Sequence, residues 1–179
     1  FSAELLRDPA MNDEARLRLV QSIRTSADAG VLFLQAFLDQ QQDRSQGVAP
    51  HPLAARALLE EVAELLSYQS QSKGMHLHID TDAADDMCLL AERAGVLHVM
   101  QNLISNALKY APPGSDVHLT ASRQGKYGRL TVHDRGPGIS PKDRERMFQR
   151  YVRLSAQPTG GESSTGLGLA LAKQRARTM

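Results

Sequence analysis

Two asparagines, Asn102 and Asn106, stand in a segment whose aliphatic positions Val96, Val99, Leu103, Ile104 and Leu108 recur at helical spacing. On a helix both amides fall on one face while the aliphatics line the core side. Neutral amide oxygens suit a magnesium ion, which takes few protein ligands and completes its octahedron with phosphates and water. Directly after them, Lys109 offers an ammonium to phosphate groups, and Tyr110 offers a ring for a flat base to lie against. Further on, Leu130-Thr-Val-His-Asp134 alternates as a strand and ends at a carboxylate that Gly136 and Gly138 follow. Such a carboxylate can accept a hydrogen bond from an exocyclic amine while the bare glycine backbone comes close to a ring. Finally, Ser164-Thr165-Gly166-Leu167-Gly168-Leu169 opens the apolar run of Ala170, Leu171 and Ala172. Both glycines are therefore expected at a helix N-terminus, where free amides and the positive end of the helix dipole attract anions.

Taken singly, each block has a commonplace structural reading: surface polarity for the asparagines, a turn for Asp-x-Gly-x-Gly, a loop-to-helix join for Gly-Leu-Gly-Leu. Their order is more informative. With Met147-Phe148-Gln-Arg-Tyr-Val-Arg153 between the second and third, the four blocks resemble the N, first glycine, F and second glycine boxes of the sensor histidine kinases. That family shares the Bergerat-type ATP-binding fold with gyrase, Hsp90 and MutL. The resemblance runs from about Ala15 onward, and it implies ATP and Mg2+ as ligands. It assigns the metal to Asn106 and the adenine amine to Asp134. Nucleotide contacts fall to Asn102, Lys109, Tyr110, Gly136, Gly138, Ile139 and the run Ser164, Thr165, Gly166, Leu167, Gly168 and Leu169. Arg153 corresponds to family arginines that approach the terminal phosphate, and with Asn102 and Lys109 it forms the implied catalytic set. Hydrolytic relatives carry a glutamate where this chain has Asn102, which cannot act as a general base at neutral pH. Transfer to a protein group is thereby favoured over a gyrase-like or Hsp90-like ATPase.

To hold these blocks, the sequence predicts helix 54–72, strands 75–80 and 86–91, helix 92–111, strands 115–123 and 128–134, a short lid helix within 141–150 and helix 166–178. Leu58, Leu59, Val62, Leu65 and Leu66 make one stripe on the first of these helices. The expected fold class is α+β, a two-layer sandwich of helices over a mixed, mostly antiparallel sheet. Between Ile139 and Ser164 the chain is charged and poor in aliphatics, as expected of a mobile lid that orders over nucleotide. Phe148 is read there as a local anchor holding the lid to the core.

A cluster of polar and helix-breaking residues from Ser45 to Pro52 marks a boundary between 1–46 and 47–179. Before it, Asn12 or Asp13 caps an expected helix to about Gln42, with Leu19, Val20, Ile23, Ala27, Val31, Leu34, Phe37 and Leu38 at roughly 3.5-residue spacing. With the turn at Asp8-Pro9, this reads as part of a dimerisation hairpin. In the resembled family such hairpins pair into a homodimer, and the first helix carries the phosphoacceptor histidine beside an acid and a proline. No such block occurs here; His76, His78, His118 and His133 fall in expected strands and His98 in the helix before Asn102, which reads as structural. The expectation is therefore a kinase fragment whose acceptor lies outside it, lacking the family's closing C-terminal strands, and whose pathway ends on a response-regulator receiver domain.

The 179 residues carry a net charge of +1 with acids and bases interspersed, which leaves no nucleic-acid footprint. No apolar run is long enough to span a bilayer. A cytoplasmic location follows as an expectation, and it is compatible with a parent protein anchored in the inner membrane. Cys88, the single cysteine, is expected as a buried strand residue, with no disulfide framework. Two readings from other classes remain open: an anti-sigma-type serine kinase, against which the N-terminal helix argues, and a non-catalytic nucleotide-binding interaction module.

Overall fold

The computed structural model describes residues 16, 19, 20, 23, 30, 49–80, 87–162 and 164–179. Contacts divide the chain into two units, Phe1–Gly47 and Val48–Met179. In the first, Arg16, Leu19, Val20, Ile23 and Gly30 have helical backbone. The rest of the expected helix and its heptad seam, and the turn at Asp8-Pro9, lie outside the described residues.

In the second unit the order is β1 (His51–Ala54), α1 (Ala55–Leu65), α2 (Ser67–Ser72), β2 (His76–Asp80), β3 (Cys88–Ala91), α3 (Arg93–Tyr110), β4 (Asp116–Gln124), β5 (Tyr127–His133), α4 (Pro141–Arg144) and α5 (Gly168–Thr178). β4 is central, parallel to β2 and antiparallel to β5. Alternation along β4 buries Val117, Leu119 and Ala121 on one face, where they meet Leu58, Leu59 and Val62 of α1 and Met100, Ile104, Ala107 and Leu108 of α3. This single core holds α3 against the sheet and so fixes which face of α3 is left to build a site. Among the described residues no helix is long and apolar enough to cross a membrane.

Four local expectations need correction. The helix expected over 54–72 is two helices, because Leu66 leaves helical geometry (φ −105°, ψ 5°) and turns its own side chain and Ser70 into the core. His51 and Pro52, taken for linker, instead form β1 against β3, a pairing that tertiary contact supplies in spite of weak strand propensity. The two strands make a separate ladder: β3 approaches β5 through Leu89, which lies where a Cβ on Gly128 would stand, without hydrogen bonding to it. Cys88 is exposed, since Leu89 takes the inward position of that short strand.

The open face of the three-stranded sheet carries a lattice of histidines and aspartates. His78 Nε2 lies 3.0 Å from Asp116 Oδ1, and His118 Nδ1 lies 3.3 Å from Asp80 Oδ2. The His78 and His118 rings stack with centroids 5.2 Å apart. The strand histidines thus sit in cross-strand pairs at the surface and not in the core.

Candidate functional site

The exposed side of α3, the end of β5 and the segment from residue 137 to 169 enclose a cavity of ≈ 270 Å³. From α3 it takes Leu103, Asn106, Ala107 and Tyr110; from the end of β5, Val132, Asp134, Gly136 and Gly138. The roof brings Ile139, Met147, Val152, Leu154 and Ala156, and the far wall brings Ser164, Gly166, Gly168 and Leu169. Apolar walls with a few convergent polar groups, at a size near the lower end of the roughly 300–1,000 Å³ usual for small-molecule sites, fit a flat aromatic ligand carrying one polar edge.

Asp134 is oriented by its own turn. Gly136 N donates to Asp134 Oδ1 at 2.6 Å, which leaves the second carboxylate oxygen without a donor among the described residues. A Cβ on Gly136 would stand 2.7 Å from that Oδ1 and 3.4 Å from the Tyr110 carbonyl oxygen, so a side chain there would push the Asp134 carboxylate out of its present hydrogen bond.

The two glycines of the last block do different work. Helix α5 begins at Gly168, with Leu167 as its N-cap; the sequence expected it at 166. Gly168 packs on α3, where a Cβ would come within 2.9 Å of Asn102 Oδ1. Gly166 lies in the preceding turn at φ 69°, and a Cβ there would meet Val152 O at 2.7 Å and Tyr151 C at 2.8 Å. Tyr151, itself at φ 64°, donates its N–H to Gly166 O at 3.0 Å. The roof and far wall therefore touch backbone to backbone, which a side chain at 166 would prevent.

The segment expected to be a mobile lid is tied down at three places. The helix expected within 141–150 is only the single turn α4, capped by Ser140, whose Oγ accepts from Asp143 N at 3.1 Å. Asp143 is nearly fully buried, 3 % exposed. It accepts from Ser140 Oγ, from Arg146 Nη2 at 2.8 Å and from both the N–H (3.1 Å) and the hydroxyl of Ser155. The Ser155 hydroxyl first, then Arg146 and the Ser155 amide, hold its carboxyl far below the usual carboxylate range, against the opposing effect of burial. Asp143 lines the cavity and joins α4 to residues 154–156 of the roof. Sequence reasoning missed it; the available signal was Ser140-Pro141-x-Asp143, a helix start with an acid in its first turn. At the outer end of the lid, Thr159 N donates to Lys109 O at 2.9 Å. On the α5 side, Lys173 Nζ sits 4.3 Å above the Phe148 ring and Arg150 Nη2 donates to Gln174 Oε1 at 2.7 Å.

Of the residues singled out from sequence, Asn106, Tyr110, Asp134, Gly136, Gly138, Ile139, Ser164, Gly166, Gly168 and Leu169 come together on the cavity. Asn102, Lys109, Arg153, Thr165 and Leu167 are not on its wall. Asn102 donates Nδ2 to the His98 carbonyl at 3.0 Å, and Arg153 is solvent-exposed.

Residues 91–179 match the family of histidine kinase-, DNA gyrase B- and HSP90-like ATPases. The chain carries the ATP-binding domain of a sensor histidine kinase. It is 30% identical over 176 residues to the sensor histidine kinase YcbM of Bacillus subtilis, a match covering 96% of this chain and 56% of YcbM. To the sensor-like histidine kinase SenX3 of Mycobacterium tuberculosis it is 34% identical over 113 residues, covering 63% of this chain and 28% of SenX3. The chain thus spans between about a quarter and just over half of these relatives. Among solved structures, full-length ShkA in complex with AMPPNP superposes over 99% of this chain and 36% of its own, with 27% identity and a TM-score of 0.68. The cavity described above lies wholly within the matched ATPase domain.

Proposed function

We propose that this chain is the nucleotide-binding part of a two-component histidine kinase that binds Mg-ATP and passes the γ-phosphoryl group to a histidine, for relay to a receiver aspartate. One observation carries the reading: Asp134, Asn106 and the Gly166–Gly168 turn, far apart in sequence, line one cavity of nucleotide-base size. Asp134 would accept the adenine amine on its unbonded oxygen, Tyr110 and Ile139 would flank the ring, and the amides entering α5 would face the phosphates. Asn106, an amide on the cavity wall, fits a magnesium ion, which when bound supplies charge neutralisation to the phosphates. Lys109 and Arg153 lie off the wall. Their expected phosphate contacts would require the lid to shift as nucleotide binds. Phosphoryl transfer asks mainly for positioning and charge compensation, and those are what this arrangement offers. The N-terminal helix would form the homodimer seam, and the acceptor imidazole would come from a separate helix. Capture of AMPPNP by ShkA supports the same ligand class here.

Calorimetric titration with a non-hydrolysable ATP analogue, with and without magnesium, tests this. Wild-type chain should bind saturably and magnesium-dependently. Asp134→Asn should weaken binding at least tenfold, since the amide presents a donor to a donor amine. Asn106→Ala should abolish the magnesium dependence. Unchanged affinity in Asp134→Asn would overturn the adenine assignment.

A further inference from the structure

The C-terminus of α3 ends with carbonyls that the helix itself cannot satisfy. Ala107 O takes Ala111 N at 2.9 Å, and the next carbonyls take groups from far along the chain. Leu108 O accepts from Lys73 Nζ at 2.7 Å. Lys109 O accepts from Thr159 N at 2.9 Å, with the Thr159 hydroxyl 3.1 Å from it and 3.3 Å from Ala111 O. The same Lys73 ammonium lies 3.1 Å from Thr159 Oγ1 and 2.6 Å from Glu162 Oε1. Glu162 Oε2 in turn accepts from Gly160 N at 3.0 Å. Lys73 is therefore the hub between the helix that supplies Asn106 and Tyr110 and the outer end of the lid, although it lies off the cavity wall.

Position and solvation strengthen this hub. The Lys73 side chain is only 15% exposed and that of Glu162 28%. Burial by itself would raise the Glu162 carboxyl, but the hydrogen bond and charge of Lys73 and the Gly160 amide hold it below its ordinary value. Lys73 is itself set by the turn after α2, where its carbonyl accepts Gly114 N at 3.0 Å. A largely buried cation whose three partners are a helix-end carbonyl, a lid hydroxyl and a lid carboxylate costs desolvation, and two of the three groups that offset it come from the lid. Two residues beyond Glu162 the chain re-enters the cavity wall at Ser164 and continues to Gly166. Fixing 159–162 therefore fixes where the far wall begins.

We infer that Lys73 is a positioning residue for nucleotide binding: through Thr159 and Glu162 it pins the outer end of the lid to α3 and so holds the Ser164–Gly168 wall against the ligand. The inference deepens the nucleotide reading of the cavity and rests on it. Lys73→Met should weaken binding of the ATP analogue about tenfold, through faster release, and should speed hydrogen exchange at the Thr159 amide. Glu162→Ala removes the partner from the lid side, away from the turn after α2, and should do the same if the contact and not the fold of that turn matters. Lys73→Arg, which keeps the charge and donors, should recover most of the affinity. Wild-type affinity in both Lys73→Met and Glu162→Ala would overturn the inference, and so would weaker binding with unchanged Thr159 exchange. If the wild-type chain binds no analogue the nucleotide reading fails by itself, and the inference, as a statement about binding, falls with it, whatever Thr159 exchange shows of the lid contact.

Discussion

Gly166 and Gly161 offer a matched pair for measuring how firmly the lid is seated. Both hold left-handed backbone, φ 69° and φ 67°, but a Cβ at 161 meets nothing within 4 Å, whereas one at 166 runs into the backbone of Tyr151 and Val152 at under 3.0 Å. An alanine at 161 thus carries only the left-handed penalty, about 1 kcal/mol. At 166 the same penalty is joined by a clash with main chain that no rotamer relieves, on the order of 1–3 kcal/mol more by comparison with overpacked sites. Urea unfolding with a slope of about 2 kcal/mol/M should then show midpoint losses of roughly 0.5 M for Gly161→Ala and 1–2 M for Gly166→Ala. If the lid lifts away instead of straining, the stability loss will be capped at the cost of local opening. The deficit must then surface as weaker binding, because Val152, Leu154 and Ala156 leave the cavity with it. Equal stability and equal analogue affinity in the two variants would refute the backbone contact between roof and far wall.

Asp143 makes the lid acid-sensitive. Its folded-state carboxyl titrates below the unfolded value near 3.9, so it stabilises fully above that value and its contribution is lost as pH falls through it toward the folded pKa. Thermal midpoints of the wild-type chain should therefore drop more steeply between about pH 4 and pH 2 than those of Asp143→Asn; parallel curves would remove Asp143 as the acid-labile tie. On the open sheet face, the hydrogen bond from His78 is the largest cause lowering the Asp116 carboxyl, and the charges of His78, Arg135 and His76 add to it against the opposing effect of desolvation. In His78→Asn, carboxyl NMR should show Asp116 titrating at higher pH than in wild type, and an unmoved curve would mean the pair is not made in solution.

Much of the cavity lining was legible in the sequence because short-range constraints carry it. A helix puts Asn102, Asn106 and Tyr110 on one side whatever surrounds it, and a strand that stops at Asp134-x-Gly-x-Gly must present its carboxylate at a turn. The apolar stripes of α1 and α3 and the alternation of β4 were equally visible, so the two-layer fold followed. Where local signals were silent, tertiary contact decided. His51 and Pro52 have no strand character until β3 is beside them. Which of Gly166 and Gly168 begins α5, and that the other is needed against Tyr151, depends on where the roof passes over the far wall. Lys73 and Asp143 carry no motif for a tie across the chain, because their value lies in carbonyls, hydroxyls and a carboxylate supplied by segments up to 89 residues away. Sequence by itself determined which groups could hold a nucleotide, since spacing along one helix or one turn fixes their shared face. The tertiary structure alone decided which of them reach a common cavity and what holds its lid, because those distances are set by packing between segments that the chain order does not place together.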